Sequence, residues 1–207
     1  MTEGEVSGLV IGRLPLYLRT LTLLDEAGQE FVSSIELGRK LGLGSAQIRK
    51  DLSHFGGFGK QGTGYEVKYL REQIAKILHV DRDWAVALAG FGDLGRAIVH
   101  YDGFATEWFH IEAIFDNDPV KIGQEFNGTI VQDIADLGRV IAEQKITVII
   151  IAVPASAAQE IADQAIEAGV RAILNYAPIT LKVPEEVHVQ HIDLIADLQQ
   201  MVYYLPC

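Results

Sequence analysis

The sequence predicts an α/β protein, an open and mostly parallel sheet with helices, preceded by a small helical unit. Three observations carry that prediction. From Trp84 onward, short apolar runs of strand length alternate with segments of helical periodicity. A G-x-G-x-x-G stretch, Gly90 to Gly95, directly follows the first of those runs and opens a helix. Before residue 79 the pattern is helical, apart from five glycines in the ten positions 56–65.

Taken in order, apolar residues from Leu14 to Ala27 recur at helical spacing, and Gly28 stops the run. A second helix is expected over Ser34–Leu41, with Ser33 or Ser34 as its N-cap. Gly42-Leu43-Gly44 makes a tight turn. Ser45 is then expected to cap a third helix through Phe55, which buries Ile48, Leu52 and Phe55 and turns Gln47, Arg49, Lys50 and Ser53 outward. The glycine-rich stretch reads as a hairpin or extended loop, and a helix over 68–78 closes the first domain. Strands follow at 84–89, 110–115, 129–131, 147–153, 171–175 and 187–192, with helices at 94–100, 134–144, 157–168 and 193–204. The β-branched run 147–153 has the character of a central parallel strand buried on both faces. The change of pattern sets the expected domains at 1–79 and 80–207.

The chain has 207 residues, 49% of them apolar, enough for a core without covalent staples. Its one cysteine, Cys207, excludes an intrachain disulfide framework and a thiolate zinc site, and fits a reducing cytoplasm. The longest apolar stretch, 148–154, falls far short of the ~20 residues of a membrane span, and the acidic start at 1–5 is unlike a signal peptide. Net charge is −11, yet it is unevenly placed: residues 1–79 carry ten basic and nine acidic side chains, and the rest seven and nineteen. A basic module on an acidic body suits a phosphate-bearing partner, although an ordinary solvated surface gives the same count.

The glycine stretch has the context of a dinucleotide fingerprint. Gly90 permits the tight turn, Gly92 lets backbone approach a pyrophosphate, and Gly95 lets the helix pack close to the sheet. Phe91, Asp93 and Leu94 complete the loop, and the helix start favours phosphate. Asp116, twenty-one residues beyond Gly95, is placed to accept hydrogen bonds from the adenosine ribose and to repel a 2′-phosphate, which favours NAD(H) over NADP(H). A ligand-free glycine turn is the competing structural reading.

An enzyme is not expected. No Tyr-x-x-x-Lys pair occurs, and His188-x-x-His191 is the only histidine spacing that suggests a metal, on a segment that reads as strand. The ~128 residues after the first domain accommodate about one nucleotide-binding unit and no substrate domain. Sensing therefore fits better than turnover, with an NAD-dependent oxidoreductase or a CoA-binding protein as the alternative class. The first domain has the outline of a winged helix-turn-helix. Ser45, Gln47, Arg49 and Lys50 face the major groove and its phosphates, and Lys60 on the loop reaches phosphate or the minor groove. A helical cap with merely solvated lysines and arginines is the bland alternative.

At this point a resemblance becomes specific. Ser45-Ala46-Gln47-Ile48-Arg49-Lys50-Asp51-Leu52-Ser53-His54-Phe55-Gly56 is similar to the recognition helix of the redox-sensing repressor family Rex, and residues 13–17, 90–95 and 173–178 resemble the same family in the same order. The resemblance implies a homodimeric repressor that binds palindromic operators, leaves DNA when NADH binds, and controls genes of respiration and fermentation. It implies a C-terminal helix, 193–204, swapped between subunits. It further implies that Arg13, Tyr101 and Asp193 couple nucleotide state to domain orientation, with Arg13 and Asp193 pairing or separating. Val153, Pro154, Asn175, Tyr176 and the partner-facing Tyr101 are the candidates around the nicotinamide. Asp93 stands where the family usually has Asn, and Tyr176 where Phe is common.

Overall fold

The computed structural model describes residues 6–60, 62–101 and 108–205; the acidic start and Cys207 lie outside that range. The chain forms two compact units, Met1–Arg82 and Asp83–Cys207.

In the first unit, a short helix α1 (Gly8–Ile11) precedes α2 (Leu14–Glu26), whose Leu14, Tyr17 and Leu21 are fully buried. Strand β1 (Phe31–Val32) leads into α3 (Ser34–Leu41). Ser33 is the N-cap of α3: its hydroxyl accepts from Glu36 N–H at 3.1 Å. Gly42 ends α3 in the left-handed region at φ 67°. α4 (Ser45–Ser53) follows at once. Gly38 is what permits so tight a turn, because a Cβ there would run into the Leu43 carbonyl oxygen. Strands β2 (Gly59–Lys60) and β3 (Gly64–Glu66) form the expected hairpin, β3 also pairs with β1, and α5 (Val67–Ile77) packs on α2.

Two expectations for α4 are corrected. Its N-cap is Gly44, with no side-chain cap, and Ser45 is its first helical residue. The helix also ends at Ser53 rather than Phe55, because His54 and Phe55 bond back only three residues, tightening the last turn before Gly56-Gly57.

The second unit is built on β4 (Trp84–Ala89), α6 (Asp93–Val99), β5 (Phe109–Asp116), β6 (Glu125–Phe126), β7 (Thr129–Asp133), α7 (Leu137–Gln144), β8 (Val148–Ile151), α8 (Ala155–Glu167), β9 (Ala172–Asn175), β10 (His188–His191) and α9 (Leu194–Val202). Among the described residues the sheet order is β10-β9-β8-β4-β5-β7-β6, parallel except for the edge hairpin β6–β7. Strands run outward from β4 in both directions, the doubly wound order, whose switch point lies between β4 and β8.

Side-chain alternation explains why both faces are covered. Ala87, Ala89, Ile149 and Ile151 face a core made with Val140 and Ile141 of α7 and Ile161 and Ala165 of α8. Val86, Leu88 and Ile150 face the opposite core, with Ile98 and Val99 of α6.

Candidate functional site

The carboxyl ends of β4, β5, β8 and β9 are adjacent in the second unit, and the fingerprint loop crosses them. Gly90 has φ +97°, and a Cβ on it would strike the Ala152 carbonyl oxygen; a Cβ on Gly95 would strike that of Gly90. Both glycines are therefore demanded by the fold. Gly92 is different: nothing lies within 4 Å of where its Cβ would stand. Its openness, with Asp93 and Leu94 exposed beside it at the start of α6, suits a loop that receives a phosphate chain. Phe91 anchors the loop to the sheet. Its ring is fully buried against Phe126, centroids 4.5 Å apart, and its N–H donates to Asp116.

Asp116 is the last residue of β5 and 6% exposed. Its Oδ2 accepts from Phe91 N at 2.7 Å and Lys121 Nζ at 3.0 Å, and its Oδ1 from Asp118 N at 2.9 Å. Three of about four lone-pair positions are filled, which leaves one on Oδ1 for a ribose hydroxyl. Burial opposes its charge, but the two backbone N–H groups and then Lys121 outweigh that and hold its pKa below the ordinary carboxylate value. The sequence reading found the acid and missed Lys121; a cation five residues on, after an Asx-type turn at Asp118, was the available signal.

On the other side of β4, the end of β8 supplies half-buried Val153 and exposed Pro154, which caps α8. Half-buried Tyr176 follows β9, its N–H bonded to the Ile151 carbonyl. Asn175 is the last residue of β9. It is fully buried, and its amide donates to the Ala177 and Ile179 carbonyls, meets His191 Nδ1 at 3.1 Å, and accepts from Ala177 N. It staples the turn that positions Tyr176. The contact sets the His191 imidazole beside the turn as a structural neighbour. Among the described residues no cluster of three metal-ligating side chains exists. Tyr101 is 66% exposed and follows α6.

In the first unit, Arg49 and Lys50 of α4 are exposed, and Ser45 and Gln47 are half-buried. Arg49 Nη1 donates to Ser34 Oγ at 3.1 Å, which leans the guanidinium toward the start of α3. Lys60 is exposed on the hairpin, whose Phe58 packs edge-on against Tyr69 of α5. Between α4 and the hairpin lies a cleft of about 490 Å³ lined by Ser33, Ser34, Arg49, Ser53, Lys60 and Thr63. Glycines, Leu52, Phe58 and Tyr65 line the rest of the cleft, and Arg49 and Lys60 bring two cations to it, which suits a phosphodiester backbone.

Behind that surface lies a network that sequence reasoning did not find. Asp51, fully buried on α4, accepts from Arg13 Nε (2.6 Å) and Tyr17 Oη (2.6 Å) at Oδ2, and from Arg13 Nη2 (2.8 Å) and Gln47 Nε2 (2.6 Å) at Oδ1. Burial opposes its charge, but hydrogen bonds from Arg13, Tyr17 and Gln47 outweigh it and lower its pKa. Burial first, then the Asp51 bond, pushes the Tyr17 hydroxyl up. Arg13 is thus tied into α4, while Asp193 caps α9 by accepting from Ile195 N and Ala196 N. Gln47, expected on the outward face, is held by its amide nitrogen.

Comparison with known proteins extends over nearly the whole chain. Residues 5–53 match the family described as putative DNA-binding protein N-terminus, and 81–179 that described as CoA binding domain. The redox-sensing transcriptional repressor Rex of Chloroflexus aurantiacus is 55% identical, covering 95% of this chain and 93% of its own. Rex of Brevibacillus brevis is 43% identical, covering 97% of each. A crystal structure of RSP in complex with beta-NAD+ and operator DNA superposes with a TM-score of 0.92 at 39% identity, over 97% of this chain and 92% of that one. One of RSP with beta-NADH gives 0.88 at 37%, over 97% and 94%. Agreement at this identity, over both units and in one order, decides between a repressor and a solitary nucleotide-binding domain: the chain belongs to the Rex family of redox-sensing transcriptional repressors.

Proposed function

We propose that this protein is an NADH/NAD+-responsive transcriptional repressor: as a homodimer it holds palindromic operator DNA and leaves it when NADH binds, controlling respiratory and fermentative genes. It acts as a regulator rather than as an oxidoreductase, in the cytoplasm where its operators are. The observation that carries this is the joining, in one chain, of a cationic helix-and-hairpin cleft to a doubly wound sheet with an open glycine loop. Both parts match relatives named as redox-sensing repressors.

In this reading Arg49, Lys50 and Ser45 meet bases and phosphates of the major groove, Gln47 reads a base edge while tied to Asp51, and Lys60 reaches phosphate from the hairpin. Gly92, Asp93 and Leu94 receive the pyrophosphate, with Gly90 and Gly95 shaping the loop, and Asp116 takes a ribose hydroxyl. Val153, Pro154 and Tyr176 border the nicotinamide, with Tyr101 contributed across the dimer. A setting of Val, Pro and aromatic carbon disfavours the cationic oxidised ring by desolvation and accepts the neutral reduced one. When bound, the dinucleotide supplies a redox state to be sensed, and this chain moves no hydride.

Dimer formation is supported by α9, which has no buried residue and leaves Leu194, Ile195, Leu198, Met201, Val202 and Tyr203 54–82% exposed. So long an apolar face suits exchange with a second copy. Arg13, Tyr101 and Asp193 are the proposed coupling residues. Arg13 is suited to that task because its guanidinium is bonded directly to Asp51 of the recognition helix and through it to Gln47. A mobility shift on palindromic DNA with NAD+, NADH, NADPH or CoA tests the reading. Release by NADH alone is expected; release by CoA in preference would replace it with the CoA-binding alternative.

A further inference from the structure

We propose that Lys121 is a specificity-determining residue of the nucleotide site: a cation held against Asp116 and Asp118 that becomes the receptor for a ribose 2′-phosphate once Asp116 is removed. The inference rests on the reading of Asp116 as the ribose acceptor. The turn after β5 builds the arrangement. Asp118 Oδ1 accepts from Val120 N at 2.9 Å, and Lys121 N donates to the Asp118 carbonyl at 2.9 Å. This fold-back brings Lys121 Nζ to 3.0 Å from Asp116 Oδ2 and 3.9 Å from Asp118 Oδ2.

Two carboxylates and one ammonium therefore meet at the end of β5, a local charge of −1. Exclusion of a 2′-phosphate depends on that single excess charge, since a phosphate-binding cation is already within a hydrogen bond of the ribose acceptor. The lysine side chain is 22% exposed, so it is neither sealed in the core nor freely solvated. Without Asp116, its remaining partner is Asp118 at a distance too long for a hydrogen bond, and a dianionic phosphate competes well for it. In the native chain the same lysine reduces the repulsion that Asp116 exerts. Removing Lys121 alone thus sharpens the preference for NADH over NADPH.

The test is fluorescence titration of the full-length protein with NADH and with NADPH, for the native chain, Lys121→Ala, Asp116→Ala and the double variant. Asp116→Ala should lose NADH affinity and gain NADPH affinity, each by about tenfold, the scale of one charge-assisted hydrogen bond. The double variant should lose the NADPH gain while binding NADH as Asp116→Ala does, and Lys121→Ala should widen the native preference. Equal NADPH binding by Asp116→Ala and the double variant overturns the role of Lys121. An unchanged NADH affinity in Asp116→Ala instead refutes Asp116 as the ribose acceptor. Should Asp116→Ala fail to fold by circular dichroism, Asp116→Asn, which keeps an acceptor for Phe91 N–H, makes the same comparison with and without Lys121.

Discussion

Replacing Asp51 with alanine removes the acceptor of four hydrogen bonds at once, three of 2.6 Å and one of 2.8 Å. The donors fare differently. Arg13 is 24% exposed and recovers part of its hydration, and half-buried Gln47 turns outward. Tyr17 is fully buried, and its hydroxyl is left without a partner. Breaking a buried ion pair costs about 3–5 kcal/mol and orphaning a buried hydroxyl about 1–3. Because Arg13 is partly wet, about 3–4 kcal/mol in total is the reasoned magnitude, borne by the first unit. The two tryptophans, Trp84 and Trp108, both lie in the second unit, so tryptophan fluorescence in urea follows that unit and far-ultraviolet circular dichroism follows both. Asp51→Ala should bring forward a dichroism transition while the fluorescence transition stays in place. Adding Tyr17→Phe should cost less in the Asp51→Ala background than in the native one, since the hydroxyl is already unpaired there. A shift below about 0.5 kcal/mol, the usual size of a surface substitution, would refute the network as a structural element.

The same carboxylate gives a pH dependence of definite sign. Its native pKa is lowered, so its contribution is complete above the ordinary value near ~3.9 and is lost as pH falls through the lowered one; Asp51→Ala should abolish that acid slope in the dichroism transition. Arg49→Ala or Lys50→Ala should weaken operator binding by about 1–3 kcal/mol in a mobility shift while NADH titrations remain unchanged. Gly95→Ala drives a methyl group into the Gly90 carbonyl; it should cost about 1–3 kcal/mol in the fluorescence transition and weaken NADH binding with it.

What was legible in the sequence was whatever local chemistry decides. Helix α3 follows from Ser33 and Glu36 at capping-box spacing and from Gly42 behind it, and β8 from four β-branched residues in a row. Gly90 and Gly95 were legible because backbone closeness leaves no substitute. What escaped depends on pairs far apart in the chain. Asp51 sits thirty-eight residues from Arg13, and on sequence alone it is one more acid on a solvated helix. The side chains of Phe91 and Asn175 turn inward, one into the core and one across its own turn. Periodicity reports which face of a helix is apolar and says nothing of which polar groups a loop uses on itself. The short strands β1 and β6, two residues each, carry too little pattern to be seen without their partners.

The central claim is that the reduced nicotinamide, rather than nucleotide in general, releases the protein from DNA. The direct measurement holds total NAD(H) constant above saturation and varies the reduced fraction over a preformed protein–operator complex, following bound DNA by fluorescence anisotropy. A near-complete switch requires NADH to favour the released state over the bound one by ~10⁴-fold, so bound DNA should fall steeply with the reduced fraction and recover when NADH is oxidised in place. Release that tracks total nucleotide and ignores the reduced fraction would contradict it.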